Sequence, residues 1–296
     1  MELLQITDRM FLVPGENGGM FPFSQSVLVE ADRRILFDLG LGPRALAAFV
    51  KHMQVDIIIV SHAHPDHISG CGHFAGKVPI FVPNESLETF GDLEKLAVRF
   101  AVGQEEREIW KQLVTKVMGF TPAAAARPYD GRTAFELGSL KLTAVHTPGH
   151  TKDHYCFFEA ESGCMLLFDI DLSPGGPWYG NAESSISQYE ASLSLVRSFQ
   201  PAVVVSSHMG ILRKNVDKSL EAFQHRFDER DELLLKRMDS PVSPEELAAQ
   251  FPFTPRHHPA LRKLYLYWET EMVRKHMDRL IERGLASPIR EKFVRT

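Results

Sequence analysis

Four side chains able to bind a metal stand within six residues: His62, His64, Asp66 and His67, in Ser61-His62-Ala63-His64-Pro65-Asp66-His67. The apolar, β-branched run Val55-Asp56-Ile57-Ile58-Ile59-Val60 precedes them, so they project from a strand end into a loop. Imidazole nitrogen and carboxylate oxygen suit zinc, iron or manganese, and a His/Asp mixture without thiolate speaks against a structural zinc knot. A lone histidine in a polar loop is commonly an ordinary surface residue. Two imidazoles at i and i+2, followed by Asp-His at i+4 and i+5, point instead to a catalytic metal site.

Three later pieces repeat the pattern of an apolar strand ending in a ligand-type side chain. In Val145-His146-Thr147-Pro148-Gly149-His150 the Pro-Gly turn swings His150 back over the strand ends. Met165-Leu166-Leu167-Phe168-Asp169-Ile170-Asp171 finishes in two acids, and Val203-Val204-Val205-Ser206-Ser207-His208 in an imidazole. A fold that aligns these strand ends gathers them in one cleft. His146 is expected to point away, and His73, His154, His257 and His258 read as structural or surface residues.

The elements that must position these groups read as layered α/β. Four strands fill the first forty residues, around a glycine-rich loop from Gly15 to Phe23 that reads as an ordinary turn or a mobile flap. Pro43 opens a helix with Leu46, Phe49 and Val50 on one face, and strands and helices then alternate. Residues 84–120 read as a helical insertion with Trp110, Leu113, Val117 and Phe120 on one face, packed on the core or roofing a pocket. A long charged helix is expected from about Lys214 to Met238. Helices through Leu261–Tyr267 and Met272–Arg283 follow, then a small strand within Ile289–Val294. The prolines of Asp239-Ser240-Pro241-Val242-Ser243-Pro244 mark a boundary between a unit over 1–238 and a helical one over 239–296.

Composition allows a soluble enzyme: 44% hydrophobic and 24% charged residues over 296 positions support a sizeable core. The sequence contains neither a long apolar run nor a signal-like start, so a cytoplasmic protein without membrane contact is expected. Cys71, Cys156 and Cys164 lack C-x-x-C spacing and read as small buried residues. Residues 256–296 carry ten Lys and Arg against five Asp and Glu, leaving residues 1–255 at a formal −10. An acidic body with a basic tail is a weak hint of an anionic partner, and a solvated helix surface is the better reading of it.

These motifs, in this order from Asp38 to His208, resemble the metallo-β-lactamase-fold hydrolases, whose signature is His-x-His-x-Asp-His followed by His, Asp and His on successive strand ends. The resemblance implies a four-layered αββα sandwich. It assigns His62, His64 and His150 to one metal, and Asp66, His67 and His208 to a second. Asp171 bridges the two, because Leu167-Phe168-Asp169-Ile170-Asp171 aligns without a gap to the family's Leu-Phe-Thr-Gly-Asp. Asp38 matches a supporting strand-end acid that is not itself a ligand. The C-terminal segment is similar to a winged-helix module.

The resemblance further implies two divalent ions, zinc by default with iron or manganese as alternatives, and a bridging hydroxide as nucleophile. Asp66 would orient that hydroxide and take its proton. Exported β-lactamases of this fold commonly place Cys where Asp171 is aligned, so the pattern is closer to glyoxalase II, lactonases and cytosolic hydrolases. Hydrolysis of a small ester or thioester is the expected activity. A ribonuclease holding nucleic acid on its basic tail and a non-catalytic regulator are the alternatives. Trp178 and Tyr179 are candidate substrate-binding residues, Tyr179 as an oxyanion donor, and the C-terminal module otherwise serves as a packing or homodimer surface.

Overall fold

The computed structural model describes residues 2–296 except Val102 and Arg256. Seven strands form one sheet in chain order: β1 (Leu4–Gln5), β2 (Met10–Val13), β3 (Ser26–Glu30), β4 (Arg34–Phe37), β5 (Ile57–Ile59), β6 (Ile80–Pro83) and β7 (Ala126–Tyr129). A second sheet holds β8 (Ala134–Leu137), β9 (Leu140–His146), β10 (Tyr155–Glu159), β11 (Cys164–Phe168), β12 (Val203–Ser206) and β13 (Gly210–Leu212), in the order β13-β12-β11-β10-β9-β8. Helices α1 (Pro43–His52), α2 (Pro65–Ile68), α3 (Leu93–Phe100) and α4 (Gln104–Gln112) accompany the first sheet, and α5 (Ile186–Ser198) and α6 (Val216–Leu235) the second. Helices α7 (Pro244–Ala248) and α8 (Arg262–Glu282) and a hairpin of β14 (Ala286–Ile289) and β15 (Lys292–Arg295) close the chain.

Alternation along the strands builds the layers, because successive side chains point to opposite faces. Val27, Val29, Ile35, Phe37, Ile57 and Ile59 face the second sheet, meeting Leu142, Phe157, Leu166 and Val205. Leu28, Leu36 and Ile58 face outward against Phe49 of α1. On the second sheet Met165, Leu167 and Val204 point the other way, onto Leu193, Leu220 and Phe223 of α5 and α6. The result is the αββα sandwich.

Strand direction places the ligand-type side chains at one edge. β4 and β5 are parallel, so Asp38 and the His62 cluster leave the first sheet together. β11 and β12 are also parallel, and β9 runs the same way as β11 because both pair antiparallel with β10. His150, Asp169 and His208 therefore leave the second sheet at a common edge.

Three elements differ from the sequence expectation. The insertion is two helices, α3 and α4, continued by a π-helical turn over Leu113–Val117. That wider turn shifts the helical register, so Trp110, Leu113 and Phe120 are buried while Val117 is 45% exposed. α8 is one unbroken helix where two were expected. Its polar middle is not a break, because buried Glu269 accepts hydrogen bonds from the Phe253 amide and the Thr254 hydroxyl. The expected lone C-terminal strand is a hairpin. Leu264 and Trp268 of α8 join the core beneath α4, and Met272 joins the core under α6.

Candidate metal centre

Two groups of donor atoms meet at the strand ends: His62, His64, His150 and Asp169, and then Asp66, His67, Asp169 and His208. In the first, His64 Nδ1 lies 3.0 Å from His62 Nε2 and 2.8 Å from His150 Nε2. Asp169 Oδ2 lies 3.1 Å from His150 Nε2 and 3.6 Å from His62 Nε2. In the second, Asp169 Oδ1 lies 3.0 Å from His67 Nε2 and 3.5 Å from His208 Nε2. Asp66 Oδ2 lies 3.8 and 3.7 Å from those two nitrogens. Donors bound at ~2.0–2.1 Å to one tetrahedral ion are separated by about 3.3 Å, so each group has the dimensions of a cation site. Asp169 faces one group with each carboxylate oxygen. His67 Nε2 and Asp169 Oδ1, although 3.0 Å apart, are not aligned for a hydrogen bond with each other or with any other group, an arrangement costly to a protein unless something else binds there.

The second nitrogen of each imidazole is held, which fixes the one that points inward. His67 Nδ1 donates to Asp38 Oδ2 at 2.7 Å, and His150 Nδ1 to the Trp178 carbonyl at 2.9 Å. His208 Nδ1 donates to the Gly19 carbonyl at 2.7 Å. Ser61 Oγ donates to Asp38 Oδ2 and so accepts from His62 Nδ1 at 2.9 Å. Asp38 thus stands behind two imidazoles and is not itself in either group. His64 is turned the other way, with Nδ1 inward and Nε2 at 2.6 Å from the Asn181 side-chain amide.

Local backbone supports the arrangement. Pro65 opens α2, whose single turn carries Asp66 and His67. A Cβ on Gly40 would fall 1.2 Å from the Asp66 carbonyl oxygen, so only glycine lets that turn approach. Gly149 takes φ 135° against the backbone of Tyr189 in α5, completing the turn that presents His150. The Tyr189 hydroxyl donates to the Asp169 carbonyl at 2.8 Å.

The acid between the two groups is Asp169, which corrects the expectation of Asp171. β11 shifts register against β12 between Leu166 and Phe168, and Phe168 takes φ 51°, a left-handed conformation that glycine adopts most easily. Phe168-Asp169 therefore occupies the place of the Gly-Asp pair, two residues earlier than a gapless alignment puts it. The Asp169 amide also donates to His154 Nε2 at 3.2 Å. Asp171 lies further along the cavity wall and accepts from the Ser173 amide at 2.9 Å.

Electrostatics follow the same division. Burial and neighbouring imidazoles hold His62 and His64 well below the ordinary value, in the neutral form that ligates. Burial opposes charge on His67 too, but Asp169, Asp38 and Asp66 outweigh it and hold that imidazole well above. At His208 burial is likewise outweighed, by Asp169 first, and the value rises to about 9. Burial would raise Asp169, yet His67, His208 and His150 keep it well below the carboxylate range, whereas at Asp66 burial prevails and the carboxyl is raised. Burial pushes His154 down to about 3, leaving a neutral acceptor for the Asp169 amide.

A family model of the metallo-beta-lactamase superfamily matches residues 20–208. The chain belongs to this superfamily. A metallo-beta-lactamase family protein of Thermus thermophilus is similar over 99% of this chain and 100% of its own, with a TM-score of 0.77 and 21% identity. A beta-lactamase domain protein of Burkholderia ambifaria gives a TM-score of 0.74 at 16% identity, over 100% of this chain and 94% of its own. At such identities the likeness shows the fold, the C-terminal helices included. An atrochrysone carboxyl ACP thioesterase of Paecilomyces divaricatus is 24% identical over 217 residues, 70% of this chain and 58% of that protein. A lactamase-like protein of Pestalotiopsis fici is 25% identical over 203 residues, 66% of this chain and 53% of that one. The chain thus spans little more than half the length of these two relatives.

In this metallo-beta-lactamase superfamily protein the donor groups open into a cavity of about 610 Å³. Its walls include Phe21 from the glycine-rich loop, Phe100, Trp110 and Leu113 from the insertion, and Tyr265 and Trp268 from α8. The insertion accordingly does both things its periodicity allowed, packing on the core and roofing the pocket. Trp178 lines the cavity, with its ring 5.4 Å from His64 and 5.5 Å from His150. Tyr179 does not, which corrects its reading as an oxyanion donor. It is fully buried behind the wall, its hydroxyl 2.6 Å from His276 Nε2 and receiving Arg230 Nη1 at 2.7 Å. Alternation of side chains along an extended wall sends one aromatic in and the next out.

Sequence reading passed over Asn181, Ser61, Asp153 and Arg99. Asp153 is buried and accepts from the Ala63 amide at 2.9 Å, the Ser86 hydroxyl at 2.7 Å and Arg99 Nη1 at 3.1 Å. It ties the residue between His62 and His64 to the insertion. Asp153 follows His150 by only three positions, but no spacing rule predicts its distant partners.

Proposed function

We propose that the chain is a dinuclear-metal-dependent hydrolase of a small ester or thioester. The observation that carries this reading is the Asp169 carboxylate, with one oxygen toward each set of donors. Zinc suits the nitrogen-rich ligands, and iron or manganese are compatible with them. When bound, such cations lower the pKa of coordinated water and polarise a carbonyl oxygen.

The chain's own residues supply the rest. Asp66, a cavity-lining acid whose Oδ2 faces His67 and His208, orients the attacking water and accepts its proton at the other carboxylate oxygen, Oδ1. Asp38, Ser61 and the carbonyls of Gly19 and Trp178 hold the imidazoles so that little reorganisation is needed. Phe100, Trp110, Trp178 and Trp268 give the acyl group an apolar wall and exclude water from it. Relatives named as thioesterases support the choice of ester chemistry.

Nucleic acid fits less well. Six of the tail's ten basic residues, Lys263, Arg274, Lys275, Arg279, Arg283 and Lys292, form ion pairs with carboxylates of the chain, which reduces the charge it offers to phosphates. The arrangement of α6, α7, α8 and the β14–β15 hairpin supports a winged-helix-like reading whose role is to finish the pocket. No helix among the described residues is long and apolar enough to cross a membrane. The three free, buried cysteines support a reducing compartment such as the cytoplasm.

The test is metal analysis of the purified protein followed by a panel of ester, thioester, lactone and phosphodiester reporters. About two metal equivalents are expected, with thioester or ester turnover abolished by a chelator and restored by zinc. A metal-replete protein that turns over none of the panel refutes the proposal.

A further inference from the structure

Arg230 is a charged side chain in the cavity wall with no carboxylate in direct contact with it. It lies on α6, is 8% exposed, and lines the same cavity as His64, Asp66 and Asp169. Nη1 donates to the Pro177 carbonyl at 2.6 Å and the Tyr179 hydroxyl at 2.7 Å, and Nη2 to the Gly175 carbonyl at 2.7 Å. A guanidinium has five N–H donors, so these three bonds leave two. The rings of Phe253 and Tyr179 flank it at 5.1 and 5.2 Å, fixing its plane.

Nearby acids are committed elsewhere. Asp231 is bonded to His276 and Arg279, and Glu229 to Arg226. Glu269 receives the Phe253 amide and the Thr254 hydroxyl; it is within electrostatic reach of Arg230 but makes no ion pair or hydrogen bond with it. Among the described residues none forms an ion pair with Arg230, although most other buried or half-buried cations here do. A buried charge is costly unless it is paired, and three neutral acceptors satisfy hydrogen bonds without cancelling the charge. The open side of this guanidinium is the cavity, and the partner its charge lacks is an anion that enters there.

We propose that Arg230 is a specificity-determining residue that binds an anionic group of the substrate, a carboxylate on the acyl side or a phosphate on the thiol side, while the ester bond lies over the His/Asp cluster. Naming that anion as part of a substrate rests on the hydrolase reading; the anion site itself does not. A planar carboxylate or a phosphate oxygen pair matches the guanidinium's remaining donors.

The experiment uses the metal-loaded full-length chain and two matched substrate pairs. The acyl arm compares succinyl with succinamoyl thioesters of N-acetylcysteamine, and the thiol arm compares butanoyl thioesters of phosphopantetheine and pantetheine. The readout is the ratio of kcat/KM, anionic over neutral. Any general loss from a shifted 173–181 loop affects both members of a pair and cancels in the ratio.

In Arg230→Met that ratio is expected to fall about 10- to 100-fold in one arm, the size of a charge-assisted hydrogen bond. The affected arm identifies the anion's source. Ratios unchanged in both arms overturn the proposal. Should Arg230→Met fail to fold, Arg230→Lys serves, since a point charge without the planar fork is expected to cut the ratio severalfold; an unchanged ratio again overturns it. Should the wild type hydrolyse no thioester, calorimetry of succinamate against succinamide on wild type and variant decides separately. Preference for the anion that disappears in the variant supports the site, and equal affinities in the two proteins reject it.

Discussion

Replacing Arg99 by methionine tests whether the insertion and the metal loop are one electrostatic unit. The Asp153 side chain is fully buried and that of Arg99 is 5% exposed, and Arg99 also donates to Glu183 from Nε at 3.0 Å and Nη2 at 2.6 Å. Without the guanidinium, Asp153 keeps only the Ala63 amide and the Ser86 hydroxyl, both neutral, while remaining a buried carboxylate. Breaking such a pair from one side costs about 3–5 kcal/mol, a large fraction of a total near 5–15 kcal/mol. Urea unfolding of the chelated protein at pH 7 is expected to show that loss as a lower midpoint with an unchanged slope. Because the Ala63 amide lies between His62 and His64, metal affinity is expected to fall about 10- to 100-fold as well.

The pH dependence has a definite sign. Burial would raise the Asp153 carboxyl, but Arg99 holds it well below the ordinary value, so its stabilising contribution is present above about pH 4 and is lost as pH falls further. In Arg99→Met the carboxyl rises and the acid limb of stability begins at higher pH. Adding Asp153→Asn removes the stranded charge and is expected to recover part of the loss. A single variant within about 1 kcal/mol of wild type with normal metal affinity, or a double variant no better than the single one, refutes this account.

Asp169→Asn should lose most of its bound metal, measured by elemental analysis after dialysis, whereas Asp171→Asn should retain it; the reverse pattern restores the gapless alignment. Metal-free His208 titrates near 9, above its ordinary 6.5, and His67 is raised too. The His208 contribution to apoprotein stability is therefore present below about pH 6.5 and lost as pH rises through 9, and that of His67 has the same sign, while metal binding at pH 7 must displace protons. Calorimetry in buffers of different ionisation enthalpy should detect that release; zero release rejects it. Tyr179→Phe leaves Arg230 and His276 each short of a buried partner and should cost about 1–3 kcal/mol in denaturant unfolding, with no loss counting against the network.

Much of the fold was legible because burial leaves its mark on residue type and run length. Val27 to Val29 and Ile57 to Ile59 are short apolar runs, rich in β-branched residues, that read as strands and are buried on both faces. Pro43 marked a helix start by what proline forbids, whereas the single turn opened by Pro65 lies in a stretch that reads as a loop. What misled were places where local rules meet an irregular backbone. The π turn at Leu113–Val117 rotated Val117 outward, and the register shift before Phe168 moved the bridging position from Asp171 to Asp169. Glu269 read as the gap between two helices because its burial depends on Phe253 and Thr254, fifteen or so residues away.

From the sequence alone came the chemistry on offer: which side chains can ligate, that they end strands, and that the strands belong to a layered α/β fold, with the sandwich itself implied by the family resemblance. Periodicity and residue type are local properties, and they survive without coordinates. Tertiary structure decided which of two acids two residues apart faces both donor groups, that Trp178 lines the cavity while Tyr179 is sealed behind it, and that Arg230 reaches the cavity without an ion-pair partner. Each depends on a backbone angle or a distant contact, to which composition and spacing are blind.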